Sequence, residues 1–158
     1  MPNGMEEANC IFKTISGIPN DNQIELLLTL YQEIFEDADA AFFIERLKNE
    51  SDVFSILAFH SNKLIGFKIG YSQSEIIFYS WIGGIKKTFR NQGIGKQLAM
   101  IQENHARLSG FKILKTKSMN RFKPMMILNL KNGFNITKIY TNTKGQTKIV
   151  FEKSLNKL

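Results

Sequence analysis

A strand-like run, a basic link, two closely spaced glycines and an amphipathic helix follow one another in this chain, and together they leave it few architectures. The run is residues 76–85 (IIFYSWIGGI), the link residues 86–90, and the glycines are Gly93 and Gly95. Beyond them Ile94, Leu98, Ile101, His105 and Leu108 recur at alternating steps of four and three, which puts them on one stripe of a helix. A helix N-terminus carries unpaired N–H groups and the positive end of the helix dipole. Glycines there let backbone approach a ligand with no Cβ in the way. The unit is thus an anion site suited to phosphate oxygens, and Lys86, Lys87, Arg90 and Lys96 surround it with positive charge. An ordinary strand-to-helix turn shares these ingredients, so the spacing has to decide.

The spacing is Arg90-Asn91-Gln92-Gly93-Ile94-Gly95, which fits Arg/Gln-x-x-Gly-x-Gly/Ala and not the longer Walker A or dinucleotide-binding patterns. It resembles the pyrophosphate-binding motif of the GNAT superfamily of acetyl-CoA-dependent N-acetyltransferases. Ile85 stands where that family has an apolar residue ending its fourth strand, and Asn132-Gly133-Phe134 resembles its helix-ending Gly-Phe. The likeness is close over residues 76–134 and topological elsewhere.

Composition sets the outer bounds. A chain of 158 residues with 43% hydrophobic and 22% charged residues is expected to form one domain, 1–158, with a substantial core. No run is long enough to span a membrane, and residues 1–10 lack the basic-then-apolar build of a signal peptide. The single cysteine, Cys10, excludes an internal disulfide and fits a reducing cytoplasm. It has no metal-ligand company, so no metal is expected. The net charge of +7 raises the question of nucleic acid. The excess is spread out and densest in the Lys- and Asn-rich C-terminal half, with no basic stripe interleaved with aromatics. An anionic cofactor and solubility account for it more simply than nucleic acid or a membrane surface.

Taken in order, residues 9–16 read as a strand closed by Gly17 and Pro19. Asn22 with Glu25 suggests a capping box for a first helix, and Asp39 a cap for a second that runs through Lys48. Residues 53–59 and 64–71 form a hairpin about Ser61-Asn62-Lys63. Residues 76–85 follow, and Gly83-Gly84 there indicates a bulge or a close approach to the backbone. The long helix ends near Ser109 and Gly110, residues 111–118 form a strand, Pro124 opens a helix that stops at Gly133, and residues 134–141 and 147–152 make a last hairpin. The expected fold is α/β (α+β), the GNAT fold. It has a central mixed, mostly antiparallel sheet of about six or seven strands with one splayed parallel pair, flanked by about four helices. The parallel pair brackets the long helix through a right-handed crossover.

The resemblance implies a chemistry. In the family, the pantetheine arm of acetyl-CoA lies between the splayed strands like an extra strand. Backbone at Gly83 and Ile85 then pairs with the arm. The pyrophosphate rests on Lys87, Arg90, Asn91, Gln92, Gly93, Ile94, Gly95 and Lys96, and the resemblance adds Asn120 and Asn129 to the coenzyme set. A backbone N–H at Ile85 would polarise the thioester carbonyl. Where many members carry a tyrosine that serves the leaving thiolate, this chain has Asn129, which can donate a hydrogen bond but not act as an acid. A coenzyme thiol resembles cysteine, with a pKa of about 8.5, so solvent can supply the proton.

For a base, the only carboxylate near the strand is Glu75. Strand parity puts it on one face with Ile77, Tyr79 and Trp81. Tyr79 is near the place of a catalytic glutamate in some relatives but is a poor base, which leaves a water-relayed deprotonation. His105, on the apolar stripe, reads as a core histidine. The connector residues Glu33, Glu36, Asp37 and Asp39 either suit a cationic amine or serve as caps and a solvated face.

The leading expectation is a cytoplasmic N-acetyltransferase, monomeric or homodimeric, acting on the primary amine of a small molecule. The alternatives are a protein or peptide N-acetyltransferase and a non-catalytic acyl-CoA-binding regulatory domain.

Overall fold

A computed structural model describes residues 9–156. Most of the stretch read as lacking a signal peptide lies outside them. Among the described residues, no helix is long and apolar enough to cross a membrane.

The chain alternates β1 (Ile11–Ser16), α1 (Asp21–Ile34), α2 (Ala40–Asn49), β2 (Ser51–His60), β3 (Lys63–Ser72), β4 (Ile77–Ile85), α3 (Ile94–Leu108), β5 (Ile113–Ser118), α4 (Lys123–Lys131), β6 (Asn135–Thr141) and β7 (Thr147–Ser154). Single 3-10 turns at Lys87–Phe89 and Asn120–Phe122 lead into α3 and α4. Among the described residues seven strands form one sheet in the order β1-β2-β3-β4-β5-β7-β6. β4 and β5 are its parallel pair, and the other neighbours run antiparallel. This is the expected architecture.

Alternation along the strands sends neighbouring residues to opposite faces. Phe54, Ile56, Phe78, Leu114 and Phe151 bury themselves with Ile94 and Leu98 of α3. Leu57, Phe67, Ile69, Tyr71 and Tyr79 bury themselves with Leu27, Leu30 and Phe43 of α1 and α2. The sheet therefore has a core on each side. On the α3 side of β3, Gly66 and Gly70 leave the room that the helix occupies. A Cβ at Gly70 would overlap Phe78 and lie 2.9 Å from Gln102 Nε2.

Several local expectations are corrected. The capping box of α1 is Asn20 with Gln23, each side chain bonded at 2.8 Å to the other's backbone N–H. Asn20-x-x-Gln23 satisfies the same pattern as Asn22 with Glu25, and Asn20, following Pro19, is already extended (ψ 171°) as a cap requires. Asp39 does cap α2, accepting from Phe42 N–H at 3.1 Å. The buried row of α3 is Ile94, Leu98, Gln102 and Ala106, a strict step of four, while Leu108 is 88% exposed. His105 is half-buried beside that row, stacked on Phe54 at 3.6 Å between centroids, and burial lowers its pKa. It is a packing residue.

β4 starts at Ile77, so Glu75 falls in an exposed turn whose backbone is held by Ser74 Oγ. It shares no strand face with Tyr79. The bulge of β4 sits earlier than its glycines: Gly70 pairs with Ser80 and Ile69 with Ile82, leaving Trp81 as the extra residue. Gly83 and Gly84 instead admit close neighbours. A Cβ at Gly84 would be 3.0 Å from Ile34 of α1, and one at Gly83 would be 3.1 Å from the Phe67 carbonyl.

Candidate functional site

β4 and β5 pair only from Ile77/Ile113 to Ser80/Thr116, where Thr116 Oγ1 donates to the Ser80 carbonyl at 3.0 Å. Beyond that point β4 runs on to Ile85 against β3 alone. β5 runs on to Ser118 against β7 alone. The strands part, and the opening between them becomes a cleft of about 720 Å³. Its walls come from Gly83, Gly84 and Ile85 of β4, the first two and a half turns of α3, and Phe122, Met125, Leu128 and Asn129 around α4. Ile34 and Phe35 at the end of α1 also line it, so it reaches both faces of the sheet.

One end of the cleft is the loop before α3. The chain reverses there through two left-handed residues, Asn91 (φ 63°) and Gly93 (φ 80°). Arg90 braces the loop, its Nε donating to the Ile85 carbonyl at 3.1 Å. Among the described residues no side chain caps α3, and its first helical bond is Gln97 N–H to the Gly93 carbonyl. The N–H groups of Gly93 to Lys96 are thus left without helical partners. At Gly95 an added Cβ would stand 3.3 Å from Ile85 Cδ1, so β4 and α3 meet at that glycine. This arrangement can take an anion at the helix end and an extended arm along β4.

The cleft gathers seven of the expected site residues: Gly83, Ile85, Arg90, Asn91, Gly95, Lys96 and Asn129. Gln92, Gly93 and Ile94 complete the loop between Asn91 and Gly95, with Ile94 buried in the α3-side core. Asn129 is the one buried residue of α4, 8% exposed. Lys87 and Asn120 are exposed and stand outside the lining. The backbone oxygen of Asn120 instead accepts from Lys123 Nζ at 3.0 Å.

Tyr79 is also outside. It is buried in the α1–α2 core with its ring 5.4 Å from Tyr71. Burial above all, reinforced by Tyr71 and opposed by Arg46, pushes its pKa up to about 12. A phenol that holds its proton this firmly, away from the cleft, is no base for a reaction inside it. The acidic connector is largely engaged elsewhere. Asp37 pairs with Arg121 at 3.1 Å, Glu33 with Lys86 at 3.6 Å, and Asp39 caps α2. Those three take the cap and surface-pair reading, and Glu36 is exposed.

The cleft also holds residues that the sequence did not single out. Lys68 of β3 lines it, half-buried, and burial among the walls lowers its pKa to about 8. Gln102 of α3 lines it as well, 1% exposed, with Nε2 unpartnered among the described residues. One signal for Lys68 was present: in Gly66-x-Lys68-x-Gly70 a lone cation shares a strand face with two glycines inside an apolar run. At the far side Glu103 bonds Lys153 Nζ at 2.7 Å and Arg107 at 3.1 Å. Burial raises the Glu103 pKa, but the two cations outweigh it and hold the carboxyl below its usual range. Lys153 also donates to the Asn132 carbonyl at 2.7 Å, which ties the end of α4 to β7.

The sequence model of the acetyltransferase (GNAT) family matches residues 21–123. No curated protein matches the chain at a significant level. Three of the solved structures that share its fold illustrate the range. A GNAT family acetyltransferase from Elizabethkingia anophelis with acetyl-CoA bound has a TM-score of 0.73 at 20% identity, covering 92% of this chain and 98% of its own. The ribosomal-protein-S18-alanine N-acetyltransferase from Escherichia coli has a TM-score of 0.76 at 14% identity, covering 94% and 96%. An aminoglycoside 6'-N-acetyltransferase complexed with coenzyme A has a TM-score of 0.73 at 15% identity, covering 94% and 98%. With the glycine loop, the parted parallel strands and a family match over most of its length, this chain belongs to the GNAT family of acetyl-CoA-dependent acyltransferases.

Proposed function

We propose that the protein is an N-acetyltransferase that transfers the acetyl group of acetyl-CoA to the primary amine of a small molecule by direct attack in a ternary complex. The observation that carries this reading is the continuity of the cleft from the gap between β4 and β5 to the uncapped start of α3. Acetyl-CoA supplies an activated thioester. The N–H groups of residues 93–96, with Arg90 and Lys96, hold its phosphates by charge-assisted bonds. β4 beyond Ser80 offers an unpaired edge on which the arm is oriented, and most of the rate gain comes from that positioning.

The Asp37–Arg121 ion pair favours a small acceptor over an extended peptide. It joins the connector after α1 to the turn before α4, and residues beside it on both sides line the cleft. With Glu33, Asp37 and Asp39 engaged, positive charge on the acceptor is not a requirement. The protein works as a monomer or homodimer in the cytoplasm, in keeping with its single, unpaired thiol.

The test is a thermal shift with acetyl-CoA, followed by release of free coenzyme against a panel of small amines and peptide N-termini. Binding to the native state raises the melting temperature in proportion to the logarithm of ligand concentration. No shift at millimolar acetyl-CoA rejects the reading, and turnover confined to the peptides replaces the acceptor class. Within an active enzyme, Asn129→Ala should slow single-turnover transfer and leave coenzyme affinity nearly unchanged. One hydrogen bond to a developing thiolate is worth about 1.5–3 kcal/mol, roughly a ten- to hundredfold fall in rate. Equal rates for the two proteins would reduce Asn129 to a packing residue.

A further inference from the structure

We propose that Lys68 is the general acid of the transfer, donating an Nζ proton to the coenzyme thiolate as it leaves. The inference rests on the reading of the cleft as an acetyl-CoA site and adds the proton donor that Asn129 cannot be.

The geometry begins with register. Lys68 pairs directly with Gly83 across β3 and β4, and its Cγ is 3.3 Å from where a Gly83 Cβ would stand. The absence of a side chain at 83 leaves the lysine stem an open path over β4. Adjacent strands are about 4.8 Å apart, and an extended lysine reaches roughly 6 Å from its Cα. The stem leans over Gly83, in the stretch of β4 that has parted from β5. Lys68 and Asn129 both line the cleft.

A second observation points the same way. Gln102 Nε2 lies 2.9 Å from the Cβ position of Gly70, two residues along the same face of β3, and has no acceptor among the described residues. Two donors on the same side of the sheet, both lining the cleft, are placed to meet an acceptor that arrives with a ligand.

The acid–base balance is suitable. Burial lowers Lys68 to about 8, close to the roughly 8.5 of an ordinary thiol. Proton transfer between the two is then nearly level, where an ordinary lysine would hold its proton by a further two units or so. The charged groups that share the cleft are Arg90, Lys96 and Glu103 of α3 and its loop, Arg121 before α4, and Lys153 of β7. β2 and β4 bring none, since Ile56 and Gly83 are the partners of Lys68. Glu103 is already bonded to Lys153 and Arg107, so among the described residues that line the cleft no free carboxylate holds the ammonium in place.

The step balances as follows. The neutral amine attacks the thioester carbonyl, the C–N bond forms, and the C–S bond breaks. The sulfur takes a proton from Lys68, the new amide loses one to water, and water returns one to Lys68.

The experiment measures kcat against pH, with both substrates saturating, for the wild type, Lys68→Met and Lys68→Arg, and coenzyme affinity by calorimetry for each. The wild type should lose turnover as pH rises through about 8, because the ammonium is the active form. Lys68→Met should be about tenfold slower at neutral pH, a modest factor for a general acid because a thiolate leaves well unaided. Its profile should lack the alkaline fall and meet the wild type above it. Lys68→Arg keeps the charge but cannot release the proton, so it should be as slow as the methionine protein. An alkaline fall that persists in Lys68→Met, or full turnover in Lys68→Arg, overturns the assignment. If the wild type fails to bind acetyl-CoA at all, the parent reading fails first. If it binds and transfers with no alkaline fall, only this one does.

Discussion

Gly93→Val should bind acetyl-CoA at least roughly a hundredfold more weakly than the wild type, while the corresponding change at Gly110 should leave affinity intact. Both glycines have left-handed backbone, φ 80° and 88°, and at both an added Cβ would meet nothing within 4 Å. At neither position does the added Cβ clash. Both impose the same backbone penalty, about 1–3 kcal/mol for a residue that avoids this region. The difference is place. Gly110 follows the far end of α3, whereas Gly93 aims the free N–H groups that open it. Relieving the strain at 93 swings those groups off the phosphates, and each charge-assisted bond lost costs about 1.5–3 kcal/mol. Calorimetric titration of the three proteins measures this, with melting temperatures as the control for folding. Equal loss of affinity in both variants would show that the helix as a whole, and not its first turn, determines binding.

The second large effect falls on stability. Gly70→Ala should destabilise the protein by about 3 kcal/mol, the upper end of the cost of overpacking. Its methyl would overlap the Phe78 ring, with the Tyr79 carbonyl at 2.8 Å and Gln102 at 2.9 Å. Only Gln102 is flexible enough to yield, and it is fully enclosed by α3 and the sheet. At this chain length the melting temperature should fall by roughly 6–12 °C. Gly66→Ala supplies the contrast, since its methyl would meet neighbours at 3.5–3.6 Å, ordinary contact distance. It should change stability by less than about 1 kcal/mol. Similar thermal curves for the two variants would mean that α3 can lift from β3 at little cost.

The central unit was legible in the sequence because each of its signals is local. The β-prone run, the spacing of Gly93 and Gly95 and the helical period all lie within some thirty residues, and the structure follows them closely. Where two local patterns competed, the outcome depended on contacts far along the chain. Asn20 and Asn22 offered equal caps, and the stripe through Leu108 lost to the row through Gln102 because of what β3 presents to α3. Strand parity held for Tyr79 and Trp81, which share the α1–α2 core, and shifts only after Trp81, where the bulge adds a residue that no composition marks. The cleft itself was half legible. Its loop and Asn129 came from motif positions, but Lys68 enters it only through the register that sets residue 68 opposite a glycine fifteen positions later. Pairing of that kind is decided by the sheet as a whole.

The parting of β4 and β5 has a consequence for traffic. A groove on one face of a sheet has a single mouth, but this opening touches Ile34 and Phe35 on one side and the α3–α4 wall on the other. On the function proposed here, the coenzyme comes to the α3 side and the amine can arrive from the α1 side. Neither reactant has to leave for the other to enter, and the thioester meets its nucleophile inside the sheet itself. The enzyme then has no need to store the acetyl group on one of its own side chains between two visits.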